Sequence, residues 1–457
     1  MAAAVKRRLS APLVVAGDLS TILEGSKESS SKSGSSSGSS CSSGSSSVSA
    51  AALSAQSRLP ALQEEASLPR QQLSPEDCGQ GDHLDPFDRI VTDTILSSLA
   101  VGLEQRQGFS TRNSNRPLLK PDHTVTLGWP RREFHVQRLI ATGAYAKVYL
   151  AEVVDPEFTF MDTDGTFEHP EQRKVALKVL ADCNPWEFFI CSELRSRLAE
   201  KPPPTVLDSV VTIEAACLYR NGAILVMPFG QYGTLLDLVR RYQEQQSQGS
   251  RGIPESMALY FALELLLIVS AVHKCGIIHG DLKPDNVLVS DLPTERNCVE
   301  RLAERTHCLQ LIDFGRGIDQ HQFQPGTVFT EVVQTNCFKC TEMMDGRPWT
   351  FQTDWYGVVA CIHIMLFGEY MEVAKGANGV WAARQRFKRQ VEVTPGSNHG
   401  YWQRDLWESL FSTLLNIPSC AEPPDVTPFV ARIAELLGNP SRAQDLLLHA
   451  HKASGMS

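Results

Sequence analysis

The sequence predicts an α+β chain of two unequal lobes, a small mostly β lobe followed by a larger helical one. Residues 136–142, 144–154, 174–180 and 223–227 alternate or run apolar in the manner of strands, and all precede residue 228. Beyond it the apolar spacing turns helical, over 235–241, 254–273, 357–367, 402–415 and 426–437. Pro228-Phe229-Gly230-Gln231-Tyr232-Gly233, between the two regimes, reads as a connector. Strands first and helices afterwards argue for segregated α+β layers.

Composition limits what else the chain holds. Its 457 residues leave room for one large or two ordinary domains. A net charge of −9 gives no basic footprint for direct nucleic-acid binding. Twelve cysteines without framework spacing, and no apolar leader, predict reduced thiols in the cytosol or nucleus. Cys337 and Cys340 form a CxxC with no second ligand pair, which predicts coincidence rather than zinc. The apolar runs 258–272 and 357–367 fall short of a bilayer span, and Glu264 interrupts the first. They read as buried helices, with no membrane association.

In chain order, residues 1–84 are poor in large apolar side chains and serine-rich from Ser29 to Ser54. Such a segment cannot bury enough surface to offset the entropy of ordering, so a disordered tail is predicted. Lys6-Arg7-Arg8-Leu9-Ser10 fits a phosphorylation site or an import patch, but a solvated charged terminus explains it more simply. Residues 85–133 form an extension in which apolar side chains between Ile90 and Leu99 recur at helical spacing. That helix is expected to pack on a folded domain spanning 134–437, with 438–457 as a loose tail.

Within the small lobe, the turn from Ala141 to Val148 is built of small residues around Gly143 and Ala146. Backbone amides approach phosphate oxygens only where side chains lack bulk. One glycine of an expected three is present, so the loop alone reads equally as a hairpin. Lys178 follows in the apolar strand 174–180, beside Ala176. A cation there needs an anion, either a phosphate or an acidic side chain, unless it reaches solvent from the strand edge. Asn184-Pro185-Trp186-Glu187 then opens a helix. Glu187 either completes a capping box or pairs with Lys178, with Glu193 as the other acid on that helix. Met227, at the end of strand 223–227, is placed to line the back of a pocket whose connector, at Gly230, meets a purine edge.

The chemistry is concentrated in His279-Gly280-Asp281-Leu282-Lys283-Pro284-Asp285-Asn286, a polar loop between apolar strands, and in Asp313-Phe314-Gly315 downstream. Phosphoryl transfer from a metal nucleotide needs a carboxylate to accept the hydroxyl proton, and a carboxylate and an amide to hold Mg2+ against the phosphates. Asp281 suits the first task, and Asn286 with Asp313 the second. Lys283 can neutralise charge on the transferred group. Residues 291–307 read as a surface insertion. Thr327, Thr330 and Thr335 are candidate modification sites, and a buried Asp354 would need backbone donors from the catalytic loop.

Gly143, Lys178, Glu187, Asp281, Asn286, Asp313-Phe314-Gly315, Glu342 and Asp354 stand in the order found in eukaryotic protein kinases, which this chain resembles over 134–437. The resemblance implies the bilobal protein-kinase fold with ATP and Mg2+ as cofactors. It also places Ala141, Gly143, Ala146, Val148, Ala176, Lys178, Glu187, Met227, Gly230 and Leu288 around the nucleotide. Within that superfamily the chain looks like the Bub family of spindle-checkpoint kinases. Asn184-Pro185-Trp186-Glu187-Phe188, Tyr232-Gly233-Thr234-Leu235-Leu236, His279-Gly280-Asp281, Gly326-Thr327-Val328-Phe329-Thr330 and Met365-Leu366-Phe367-Gly368 carry the likeness. It implies a monomeric serine/threonine kinase domain at the kinetochore of mitotic chromosomes in the nucleus, otherwise cytoplasmic, with a core histone tail and checkpoint proteins as partners.

There are departures. Neither the family's upstream helical-repeat domain nor its motif for a propeller-shaped partner is present, which puts kinetochore recruitment in question. Gly280 stands where most protein kinases place an arginine, so activation-segment phosphate lacks its usual partner. Packing from the extension is the expected substitute. Two other readings remain: a checkpoint pseudokinase scaffold, and a small-molecule kinase whose loop also reads HGDxxxxN.

Overall fold

Two helices and seven strands account for the N-terminal part of the computed structural model, which describes residues 84–455 apart from 129–130, 144–145, 155–172, 201–205, 246–251, 295–306, 333–338 and 388–401. The Ser-rich tail, the Lys6 patch, Ala144, Tyr145, Thr335, Cys337 and most of the 291–307 insertion lie outside the described residues. Helix α1 (Arg89–Ser97) starts where the Asp88 side chain accepts the Ile90 N–H at 2.7 Å. Its Val91 and Ile95 are buried while Ile90 is exposed. Leu84, the last residue of the predicted tail, is buried rather than loose, and with Leu103 and Phe109 of the extension it joins them in one core with the next helix.

Strands β1 (Phe109–Thr111), β2 (His123–Leu127), β3 (Arg132–Thr142), β4 (Ala146–Val153), β5 (Lys174–Leu180), β6 (Ala215–Tyr219) and β7 (Gly222–Pro228) form one sheet in the order β1-β6-β7-β5-β4-β3-β2. Both outer strands come from the extension, β1 parallel to β6 and β2 antiparallel to β3. A boundary at 134 therefore cuts through β3, and the extension covers both edges of the sheet. Periodicity did not reveal these strands because each is short and lies at an edge.

Strand alternation sorts the sheet's two faces. Val175, Leu177, Val179, Ala151, Ile224 and Val226 turn one way, into a core closed by Leu119 and Leu127 of the extension. Ala176 opposes Met227 and Leu150, and Lys178 opposes Val148 and Leu225, so these residues share the other face. Helix α2 (Trp186–Ala199) packs within the second core, its first N–H accepted by the Asn184 side chain at 2.9 Å.

The second lobe is built on α3 (Leu235–Gln245), α4 (Glu255–Lys274), α5 (Thr341–Met344), α6 (Gln352–Phe367), α7 (Arg404–Leu415), α8 (Thr427–Leu437) and α9 (Pro440–Ser454). Short antiparallel pairs carry the loops: β8 (Ile277–Ile278) with β11 (Ile318–Asp319), and β9 (Val287–Val289) with β10 (Leu309–Leu311). A hairpin, β12 (Val373–Lys375) and β13 (Trp381–Ala383), follows α6. Helices α4 and α6 are buried along nearly their whole length, as their unbroken apolar runs predict. Glu264, the charge inside α4, accepts the Cys308 and Leu309 N–H groups at 2.9 and 3.0 Å. The buried carboxylate thus fixes the start of β10 as the chain returns from the insertion.

The loose tail expected at 438–457 is instead α9. Leu446, Ala450 and Ala453 are buried, and Arg442 Nη1 reaches Glu255 Oε2 at 3.4 Å. Glu255 also accepts from Gln403 N and Trp407 Nε1 at 2.6 and 2.9 Å. Burial pushes the Glu255 carboxyl up, against donors that pull it down. Truncation after residue 438 should therefore lower unfolding stability by about 2–4 kcal/mol, from lost apolar burial and an unpaired acid. Urea unfolding of the truncated chain measures this, and an unchanged midpoint would mean that α9 contributes nothing.

Candidate active site

The loop from β8 to β9 is held from below by one carboxylate. Asp354, on α6, accepts the His279 N–H at 2.7 Å and the Gly280 N–H at 2.9 Å. His273 Nε2 lies 2.9 Å from its Oδ2. Burial alone would raise the Asp354 carboxyl, but His273 beside it and the backbone donors hold it below the ordinary carboxylate value. His279 Nε2–H donates to the Ile312 carbonyl at 2.9 Å, which leaves Nδ1 to accept the Asp281 N–H at 3.3 Å. Its ring packs on Phe314, with centroids 4.5 Å apart.

Above this base, Lys283 Nζ donates to Asp281 Oδ2 at 2.8 Å. Asn286 Nδ2 donates to the Asp281 carbonyl at 2.9 Å and to Oδ2 at 3.2 Å. Asp281, Lys283 and Asn286 are therefore one hydrogen-bonded unit. Both assignments of Asn286 Nδ2 turn its Oδ1 away from Asp281. That oxygen meets no protein donor among the described residues.

Lys178 crosses the cleft. Its Nζ lies 2.9 and 2.7 Å from the two Glu187 oxygens and 2.8 Å from Asp313 Oδ1. Of the two readings of Glu187, ion pair and capping box, the structure shows the ion pair. Burial pulls the Lys178 ammonium down, yet Glu187 and Asp313 more than reverse this and hold it well above the usual lysine value. Burial also pushes the Glu187 carboxyl up, against Lys178. Because Nζ reaches both of its oxygens, we assign the pair as ionised.

Asp313 has φ 62° and ψ 63°, a left-handed backbone that a non-glycine residue rarely adopts. The Asp313 side chain stays 43% exposed despite the lysine. Burial would raise its pKa, but Lys178, with a lesser contribution from Lys283, holds it below the ordinary value. Oδ2 of Asp313 has no protein donor among the described residues. Two oxygens of the kind that ligate a hard divalent cation, on Asn286 and Asp313, are thus left unused by the protein.

The other residues expected around the nucleotide take up their places by strand register. Ala141 opposes Val148, and the Gly143 N–H donates to the Ala146 carbonyl at 2.8 Å, closing the small-residue turn. Val148 and Ala176 lie on the Lys178 face of the sheet, with Met227 buried opposite Ala176. Gly230 sits over Leu288, where an added Cβ would lie 3.2 Å from the leucine Cδ1. Roof and floor approach closely there, and a methyl group at 230 would need the leucine to shift by a few tenths of an ångström.

Gly280 has φ +75°, and a Cβ there would meet the Arg316 carbonyl oxygen at 2.3 Å. Next along the same direction is Phe87, 3.5 Å away. Phe87 lies under the Arg316 guanidinium, 4.0 Å from ring centroid to Cζ, and is stacked on Trp349 at 6.2 Å. An aromatic residue from the extension thus fills the space beside the catalytic loop. Sequence reasoning did not place Phe87 beside this loop. No local motif marks contacts between residues this far apart in the chain.

A family profile described as "Protein kinase domain" matches residues 195–429, about half of the chain. This chain belongs to the protein kinase family. The profile begins after Lys178 and Glu187, so it is the coordinates that join those residues to the matched part of the kinase. The kinase is 34% identical over 341 residues to the mitotic checkpoint serine/threonine-protein kinase BUB1 of Mus musculus, covering 75% of this chain and 29% of that protein. It is 32% identical over 300 residues to the Arabidopsis thaliana BUB1 kinase, covering 64% and 51%. Among solved structures, a crystal structure of the BubR1 kinase domain superposes with a TM-score of 0.66 at 29% identity, over 82% of this chain and 98% of that one. The kinase thus spans from about a quarter to a half of the length of such curated relatives.

Proposed function

We propose that this kinase transfers the γ-phosphate of ATP to serine or threonine hydroxyls of spindle-checkpoint and chromatin proteins, a core histone tail among them, at the kinetochore. The observation that carries this is the joint arrangement of Lys178 on Glu187 and Asp313, with Asp281, Lys283 and Asn286 as one unit. Asp281 Oδ2 is occupied by Lys283 and Asn286, so Oδ1 is the oxygen left to take the hydroxyl proton. As the hydroxyl oxygen bonds to the γ-phosphorus and the β–γ bridging bond breaks, Lys283 balances charge on the transferred group. Lys178 orients the nucleotide phosphates, fixed in turn by Glu187. A divalent cation, when bound, would screen the phosphate charge, and Asn286 and Asp313 supply the oxygens to hold it. The small-residue turn and the Met227–Gly230–Leu288 pocket suit a purine nucleotide.

Radiolabelled ATP incubated with the purified chain and a histone mixture tests the proposal. Wild-type chain should label protein, and Asp281→Asn should lower incorporation at least about a hundredfold. Equal labelling by both would refute it. The glycine-poor loop at Gly143 favours a second reading, a catalytically weak scaffold, under which neither protein labels the mixture.

Deletion of residues 85–130 would be expected to reduce turnover, but it also removes both edge strands and buried Leu119 and Leu127. Point substitutions in the extension are the cleaner probe.

A further inference from the structure

We infer that Arg197 is the positioning residue that locks the segment after Asp313 in its working arrangement, through the built-in carboxylate of Asp319, with Arg106 of the extension setting its orientation. The inference deepens the kinase reading and rests on it. Helix α2 is attached to that segment at both ends. At its start, Trp186 Nε1 donates to the Gly317 carbonyl at 2.8 Å, and at its end Arg197 grips Asp319 with Nη1 at 2.7 Å and Nη2 at 2.6 Å.

Asp319 is fully buried on β11 and also accepts from His321 N at 3.1 Å and Gln322 Nε2 at 2.9 Å. Arg197 Nη1 donates as well to the Cys275 carbonyl at the end of α4, at 2.9 Å. One guanidinium therefore ties together α2, the activation segment and the helix that leads into the catalytic loop. Arg197 Nη2 lies 2.9 Å from Glu193 Oε2, and Glu193 Oε1 accepts from Arg106 Nη2 at 2.6 Å. The extension thus reaches the pair at one remove.

An outward swing of α2 would break the Lys178–Glu187 pair and would also strip Asp319 of its cation. An unpaired carboxylate at that depth is strongly disfavoured, so the active arrangement is held without added phosphate. Gly280 offers no cation to a phosphate, and Phe87 with the Arg316 carbonyl occupies the space one would need. The anion that a phosphate would supply elsewhere is here encoded as the carboxylate of Asp319.

The test compares full-chain Arg197→Met, the double variant Arg197→Met/Asp319→Asn, and Arg106→Gln, with Arg432→Gln on an exposed face of α8 as control. Turnover, KM for ATP, thermal midpoint and amide exchange over 314–323 are read on each. Arg197→Met should lower kcat about tenfold to a hundredfold, with KM within about threefold and faster exchange over 314–323. The double variant leaves no unpaired carboxylate; it should regain most of the thermal midpoint but not kcat. Arg106→Gln should cost about two- to fivefold in kcat, since it loosens the pair without removing it.

A folded double variant with wild-type kcat, or unchanged exchange in Arg197→Met, would overturn the inference. Exchange needs no turnover. An inactive wild-type chain would therefore sink the kinase reading while exchange still decides this one.

Discussion

Lys178→Met should lower turnover about a thousandfold, because one ammonium serves three carboxylate oxygens at once. Without it, Glu187 is a buried acid with no cation, and removing one partner of such a pair destabilises by about 3–5 kcal/mol. Lost stability and lost chemistry must therefore be separated. Lys178→Met/Glu187→Leu removes both charges and should recover most of the stability, yet remain as inactive as the single variant. Recovery of activity within about tenfold of wild type would show that Lys178 is structural rather than a phosphate-orienting group.

A pH signature accompanies this loss. Burial pushes the Asp313 carboxyl up, and Lys178 is the main group holding it down. A carboxyl whose folded pKa is depressed contributes stability above its unfolded pKa and loses it as pH falls through the folded value. In wild type the Asp313 contribution is thus present above the ordinary carboxylate range and lost only in more acidic solution. In Lys178→Met the depression is lost, so this contribution disappears and stability should fall less steeply on acidification than in wild type. Urea midpoints measured from neutral to acidic pH on both proteins check the direction.

Gly280→Arg, which restores the residue most protein kinases carry, should destabilise this chain by about 3 kcal/mol or more and abolish turnover. The backbone at 280 is left-handed, and any Cβ falls 2.3 Å from the Arg316 carbonyl oxygen. That oxygen is main chain and cannot turn aside like a flexible side chain. Gly280→Ala should therefore also destabilise, though less, and adding Phe87→Ala should not rescue either variant. Urea unfolding decides the matter. A Gly280→Arg chain as stable as wild type would mean that the loop relaxes freely, which is incompatible with the two Asp354 bonds at 279 and 280.

The parts legible in the sequence were those carried by local spacing. Asp281, Lys283 and Asn286 fall within six residues, and a polar loop between two apolar strands is visible as such. Lys178 stood out because its strand is apolar on both sides. Glu187 did not: at the start of a helix an acid three residues after Asn184 satisfies capping and pairing equally. Only the approach of β5 to α2 chose between them, placing Lys178 Nζ 2.7 Å from the carboxylate. The C-terminal helix was missed because its apolar positions are sparse, and its hold on the lobe comes from Arg442 and Glu255, far apart in the chain.

The sequence by itself determined the two-lobed α+β division and the order of the groups at 178, 187, 281, 283, 286 and 313, because these depend on period and short offsets. Only the tertiary structure decided which anion pairs with Lys178, that the extension supplies both sheet edges, that glycine is required at 280, and that Arg197 reaches Asp319. Each of these is a meeting of residues from different elements, 135 positions apart in the case of Lys178 and Asp313. Whether they meet is set by how helices and strands pack, which no local pattern of side chains records.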